Sequence, residues 1–343
     1  MNCSCHTIIV TAIGLIGPSL TYAHHSSSAA FDMDREVTID GVIQRYEWKN
    51  PHLYFYVGTV NDAGSAVEWR VEAGPLAIMR RLGWSRDSLA PGDHVVLSAN
   101  PSRRPDRLSA FLKTIETDAG PLLSFQGKQT RDALQASEAP PGEHASGFSG
   151  TWATLLNLES VGWVDDPSKL ALTPAGKASV AGFDETTMHP ALDCIPFTAP
   201  VFMLIPDTKS IEAGGNEIRI RGEFDATERI VYLGPVMHRP DGPLLHGYSA
   251  GFQVGNKLRI VTSDFAEHRT GIAFGLTSSL QKHLVEELET NAGGTSLTYR
   301  FALEDPAYLA EPVTGSVQWE FRPDIEFEYS ECDIANSRIF LTD

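Results

Sequence analysis

The sequence lacks any continuous run of about 20 apolar residues, the length that a membrane-spanning helix needs. It also lacks an H-E-x-x-H zinc signature and a glycine-rich phosphate-binding loop. There are four cysteines, Cys3, Cys5, Cys194 and Cys332, which is too few for a disulfide-rich scaffold. We therefore expect no transmembrane segment, and the most common metalloprotease and nucleotide-binding signatures are excluded.

Positive charge is scarce as well. The chain has 27 Lys and Arg against 44 Asp and Glu, a net charge of −17. Residues 147–343 carry 14 basic and 28 acidic residues, whereas residues 24–127 carry 11 and 13. Because such a surface repels phosphate backbones, we expect no nucleic-acid partner. We interpret a small basic cluster, Arg103, Arg104 and Arg107, as a solvated hairpin tip.

The first 23 residues contain no lysine or arginine, yet they have the other marks of an export signal. A short apolar run over residues 8–17 is followed by small residues at Thr21 and Ala23. This pattern predicts a signal peptide, a mature chain that begins at His24, and a periplasmic or secreted protein. In that oxidising environment Cys194 and Cys332 are predicted to form a disulfide; the alternative is two buried free thiols.

Residues 24–127 are predicted to form the first domain. Five segments of alternating apolar residues predict five strands. A short helix is predicted between the third and the fourth; it begins at Pro75 and ends before Gly83. Three strands, a helix and two strands is the order of an OB-like five-stranded barrel. A polar segment with two adjacent prolines, residues 128–146, is predicted to be a linker.

Residues 147–343 are predicted to be an antiparallel β-barrel or a strongly curved sheet, so the fold class is mainly all-β. Short strands separated by glycine turns dominate this part. We also predict helices over residues 174–183 and 279–287, and strands over residues 201–205 and near 326–329. Gly150, Thr151 and Trp152 form a G-x-W motif like that of lipocalin-type barrels; an ordinary core tryptophan is the alternative.

Six short motifs follow one another along the first domain: Ala23-His24-His25-Ser26, Phe31-Asp32, Gly41-Val42, Trp48-Lys49-Asn50-Pro51-His52, Gly83-Trp84-Ser85-Arg86-Asp87-Ser88-Leu89 and Pro91-Gly92-Asp93. Together they resemble an exported bacterial family of uncharacterised function, and the resemblance covers about residues 20–118. The second domain resembles one that is often fused to it, through Leu172-Thr173-Pro174-Ala175-Gly176, Cys194-Ile195-Pro196, Gly247-Tyr248-Ser249 and Asp305-Pro306. The resemblance implies export and two β-domains, and it supplies no catalytic residues.

One candidate site is a metal site at His24, His25 and His52. An N-terminal amine and neutral imidazoles are good ligands for copper, and also for zinc. His52 follows Asn50-Pro51 at a strand start, where an N-terminal arm could reach its ring. The alternative is a solvated chain end, with His52 capping a strand.

A second candidate site is a ligand-binding mouth of the second barrel, formed by His238, His246, His268 and Glu267. Histidine beside a carboxylate can transfer protons near neutral pH; scattered loop histidines are the alternative. Ser249 fits G-x-S-x-G in letters, but a nucleophile elbow needs a strand followed by a helix, and strands are predicted on both sides.

No catalytic constellation stands out among these patterns. We therefore expect an exported binding protein, with a small, partly apolar ligand in the second barrel and a metal at the N-terminal histidines. A cell-envelope enzyme that uses the histidine groups is one alternative. A structural module that docks another exported protein is a further alternative.

Overall fold

The computed structural model describes residues 30–126, 142–154, 162–223, 227–234, 241–329 and 331–342. These residues fold around two closed β-barrels, which confirms the predicted all-β class. The predicted signal peptide and most of the predicted linker lie outside the described residues. Within the described ranges no helix is long and apolar enough to cross a membrane.

The first barrel has the OB-like topology that was predicted. Its elements are β1 (Val37–Glu47), β2 (His52–Val60), β3 (Ala66–Pro75), α1 (Leu76–Arg81), β4 (His94–Pro101), β5 (Ser109–Thr117) and β6 (Gly120–Leu122). Strand β1 pairs with β2 and β4, β2 pairs with β3, and a parallel pairing between β3 and β5 closes the ring. Helix α1 lies between β3 and β4 along the chain, and β6 extends the edge beside β5.

Successive side chains of β2 point alternately into the core of this barrel and to its outer face. Leu53, Phe55 and Val57 point inward and are fully buried in the hydrophobic core. The side chains between them therefore point outward. β1 and β2 approach so closely that a Cβ atom at Gly41 would lie 2.4 Å from the carbonyl oxygen of Gly58, which explains glycine there.

The second barrel closes from nine strands. They are β7 (Gly150–Thr154), β8 (Thr208–Gly214), β9 (Glu217–Gly222), β10 (Thr227–Leu233), β11 (Tyr248–Val254), β12 (Lys257–Ser263), β15 (His283–Thr290), β16 (Ser296–Glu304) and β17 (Val313–Phe321). Two further strands, β13 (His268–Ala273) and β14 (Leu276–Ser278), pair with each other outside the ring. The ring order is β10, β11, β12, β15, β16, β17, β7, β8 and β9. Eight neighbouring pairs are antiparallel and one, β10 with β11, is parallel, as closing an odd number of alternating strands requires.

Three local predictions for the second domain are wrong. Residues 283–290 form β15 instead of a helix, because Leu284 and Leu288, four residues apart, share one face in a strand as well as in a helix. The segment 201–205, predicted as a strand, begins with helix α4 (Val201–Leu204), since so short an apolar run has no distinguishing period. Residues 326–329 form no strand.

Short helices flank the second barrel, and a C-terminal tail contacts both barrels. The helices are α2 (Pro174–Ala181), α3 (Glu185–Met188), α4, α5 (Ile334–Ser337) and α6 (Ile339–Thr342). The predicted disulfide is formed: Cys194 and Cys332 are bonded, with their Cα atoms 5.8 Å apart. On the first barrel Arg80 Nη1 lies 2.8 Å from Glu223 Oε1 of the second. The barrels are therefore in direct contact.

Candidate functional site

The outer face of β2 and β3 carries a group of polar and charged side chains. Strand pairing sets Tyr54 opposite Glu72 and Tyr56 opposite Arg70. Tyr54 Oη donates to Glu72 Oε2 at 2.9 Å, and His52 Nδ1 lies 2.8 Å from Glu72 Oε1. All three of these residues are buried, because the C-terminal tail covers this half of the face. Burial and the neighbouring carboxylate raise the pKa of the Tyr54 hydroxyl well above its usual value.

The other half of the face opens into a groove of about 530 Å³. We call it the arginine groove. Its lining comprises three arginines, two carboxylates and four further residues: Arg45, Tyr56, Glu68, Arg70, Asp106, Arg107, Leu108, Ser109 and Ile339. The volume is that of an ordinary small-molecule site.

Two of these arginines are held by their neighbours. The Arg45 guanidinium lies over the Tyr56 ring, 3.6 Å from its centroid, and 3.9 Å from Glu68 Oε1. Arg70 is 7% exposed, and its Nη1 donates to the backbone oxygen of Ile339 at 3.2 Å. The side chains of both arginines are therefore positioned in the folded protein.

Arg107 differs from the other two. Its Nε and Nη1 atoms are both buried, and neither has a hydrogen-bond partner among the described residues. Burial and the nearby positive charge of Arg104 and Arg70 lower the pKa of Arg107. Arg107 as a whole is partly exposed, but its two buried N–H groups lack acceptors, which is costly unless another group supplies them. The arginine groove is therefore suited to an anion.

The interior of the second barrel holds a satisfied network of charges instead. Arg229 is 1% exposed and its Nη1 donates to Glu286 Oε1 at 2.8 Å, while Tyr299 Oη donates to the same oxygen at 2.8 Å. Ser249 accepts from Arg229 Nε at 3.1 Å and lies in β11, with β12 next along the chain. The G-x-S-x-G string is therefore part of a sheet and not a nucleophile elbow.

The predicted ligand-binding histidines near this barrel have different environments. His268 is 5% exposed: its Nε2 lies 3.1 Å from the oxygen of Pro196, and its Nδ1 accepts from the backbone of Thr270 at 3.2 Å. His246 Nδ1 is buried without a hydrogen-bond partner in the described parts of the chain. Glu267 is exposed, and His238 lies outside the described residues.

Burial lowers the pKa of both described histidines, to about 3 for His246 and about 4 for His268. The buried amine of Lys282 contributes to both shifts, and its own pKa is lowered to about 7 by burial. His246 and His268 therefore belong to one electrostatic neighbourhood. Both are neutral at pH 7.

The predicted metal site stays a prediction. His24 and His25 lie outside the described residues, and His52 has its Nδ1 beside Glu72. Within the described ranges no three His, Cys, Asp or Glu side chains are grouped so that they could hold a metal ion. Trp152 of the G-x-W motif is fully buried, and its Nε1 donates to the oxygen of Phe148 at 2.9 Å, as in an ordinary core tryptophan.

Most of the arginine groove, from Arg45 to Ser109, lies in the first barrel. Residues 15–110 match DUF6152, a family of unknown function. The predicted resemblance to an uncharacterised family is thereby confirmed. The DUF6152 region includes eight of the nine groove residues, and Ile339 of the tail lies outside it. No curated protein matches the chain.

Proposed function

We propose that the protein is an exported binding protein whose arginine groove holds a small organic anion. The ligand would carry a carboxylate or phosphate group on an apolar body. The buried, unpartnered Nε and Nη1 atoms of Arg107 support this most strongly, because they offer two donors to an acceptor that the described chain does not supply. Arg70 and Arg45 add positive charge on the same side.

The walls of the groove suggest what the rest of the ligand is like. Tyr56, Leu108 and Ile339 supply aromatic and aliphatic surface beside the guanidinium groups. A protein with a net charge of −17 repels anions in general, so local positive charge in a concave site favours selective binding. Glu68 and Asp106 at the groove would disfavour ligands of high negative charge.

We propose the arginine groove as the ligand site instead of the second barrel, which the sequence pattern favours. Large side chains, among them Trp152, Trp319 and Tyr299, occupy the interior of that barrel and are fully buried. The Arg229–Glu286 pair within it is already satisfied. The leader-like residues 1–23 and the disulfide support an exported location.

Calorimetric titration of the oxidised full chain tests the proposal with three matched probes, phenyl phosphate, benzoate and neutral benzyl alcohol. We expect at least one of the two anions to bind and benzyl alcohol not to bind. Arg107→Gln should weaken anion binding about 10- to 100-fold, the effect of losing a charge-assisted hydrogen bond.

Arg103→Gln is the matched control, since it removes the same charge from an exposed position four residues away that does not line the groove. This variant should change the affinity for the anion by less than about twofold, because an exposed charge outside the groove contributes little to binding. An equal loss in both variants would indicate unspecific attraction. Absence of binding by both anions would refute the proposal.

A further inference from the structure

The C-terminal tail contributes directly to the arginine groove. Ile339 lines the groove, and its backbone oxygen accepts a hydrogen bond from Arg70 Nη1 at 3.2 Å. A residue from the far end of the chain thus forms one wall of a site in the first barrel. Displacement of the tail would remove that wall and leave the Arg70 guanidinium without this acceptor.

The tail also binds the first barrel next to the groove. The side chain of Asn336 forms two hydrogen bonds with the backbone of His52: its Oδ1 accepts from N at 3.3 Å, and its Nδ2 donates to O at 3.2 Å. The backbone nitrogen of Asp333 donates to the oxygen of Asn50 at 3.1 Å. The tail therefore docks along the start of β2.

On its other side the tail is attached to the second domain, at a short 3-10 helix (Pro190–Asp193) and the residue that follows it. Cys332 is bonded to Cys194, Arg338 Nε donates to the oxygen of Leu192 at 2.9 Å, and Ser337 Oγ donates to the oxygen of Ala191. Helices α5 and α6 have four residues each, which is too short for a helix that is stable alone. Docking the tail in one position costs conformational entropy. The disulfide lowers this cost, because it already restricts the positions that the undocked tail can reach.

We infer that the Cys194–Cys332 disulfide holds the tail against the first barrel and so keeps the arginine groove competent for its anion. An external dithiol would reduce the bond by thiol–disulfide exchange, leaving Cys194 and Cys332 as thiols and the dithiol as its own disulfide. Reduction would release the tail and weaken binding. The inference rests on the proposed function and adds its regulation: the ligand would be held in an oxidising compartment and released in a reducing one.

The test measures phenyl phosphate or benzoate, whichever binds more tightly, by calorimetry on oxidised full chain and on protein reduced with dithiothreitol. We expect at least fivefold weaker binding after reduction, recovery after reoxidation, and the same weakening in the double variant Cys194→Ser/Cys332→Ser. Asn336→Ala should weaken binding in the oxidised protein. Ile334→Ala, at a tail position that is 53% exposed, should not.

Hydrogen–deuterium exchange of residues 333–339 supplies a readout that needs no ligand. Reduction should increase exchange in this segment while strands of both barrels stay protected. If the oxidised and reduced proteins bind the probe equally, or if the tail stays protected after reduction, the inference is wrong and the proposed function stands. If neither anion binds the oxidised protein, both are refuted.

Discussion

The buried histidines should make the second barrel sensitive to acid. His268 has a pKa of about 4 in the folded protein and His246 about 3, because burial disfavours their charged forms. The ordinary value in an unfolded chain is about 6.5. Below pH 6.5 the unfolded chain binds protons that the folded chain does not bind, so stability is full above this pH and falls as the pH decreases toward 4.

The size of the effect follows from the shifts. At pH 4 each histidine should lower the free energy of unfolding by about 3 kcal/mol relative to pH 7. In His268→Gln the amide can still donate to the oxygen of Pro196 and accept from Thr270 N, yet it does not titrate. The loss of stability between pH 7 and pH 4 should therefore be about 3 kcal/mol smaller in the variant.

Urea unfolding at both pH values measures this difference, and comparison with the wild type cancels the contribution of the carboxylates. His144→Gln, at an exposed loop position, is the control and should lose as much stability in acid as the wild type. If His268→Gln and His144→Gln lose the same stability between pH 7 and pH 4, burial does not lower the pKa of His268 as described.

Two further substitutions test the fold. Glu286→Gln leaves Arg229 buried beside a neutral partner and should lower the free energy of unfolding by about 3–5 kcal/mol in urea. The control Glu289→Gln, which loses ion pairs with Lys257 and Arg300 at the surface, should lower it much less. Gly41→Ala forces a Cβ atom against the backbone of β2 and should cost about 1–3 kcal/mol by the same measurement; unchanged stability would contradict the described strand contact.

The first barrel was predictable because its signals are local. Alternation in β1, β2 and β3, Pro75 before the helix and Gly83 after it all lie within a few residues of the structure that they determine. The second barrel was predicted as a class, but its details were less accessible. The spacing of Leu284 and Leu288 fits both a helix and a strand. This segment is a strand because β15 pairs with β12 and β16, which local sequence does not reveal.

The arginine groove was missed because long-range pairing assembles it. Arg70 lies opposite Tyr56 across one strand pair and beside Ser109 across another, which brings Arg107 to the same face. A signal existed in the predicted OB-like order, because closing such a barrel pairs its third strand with its fifth. Nothing local indicates that Ile339 would reach this face, since the disulfide and the tail contacts determine its position.

Nitrogen-15 NMR of the arginine side chains tests the central claim most directly. During titration of the oxidised full chain with phenyl phosphate or benzoate, the account predicts a saturable shift of the Arg107 Nε–H resonance and no shift for Arg103. A probe that binds while the Arg107 resonance stays unchanged would contradict the assignment of the arginine groove as the anion site.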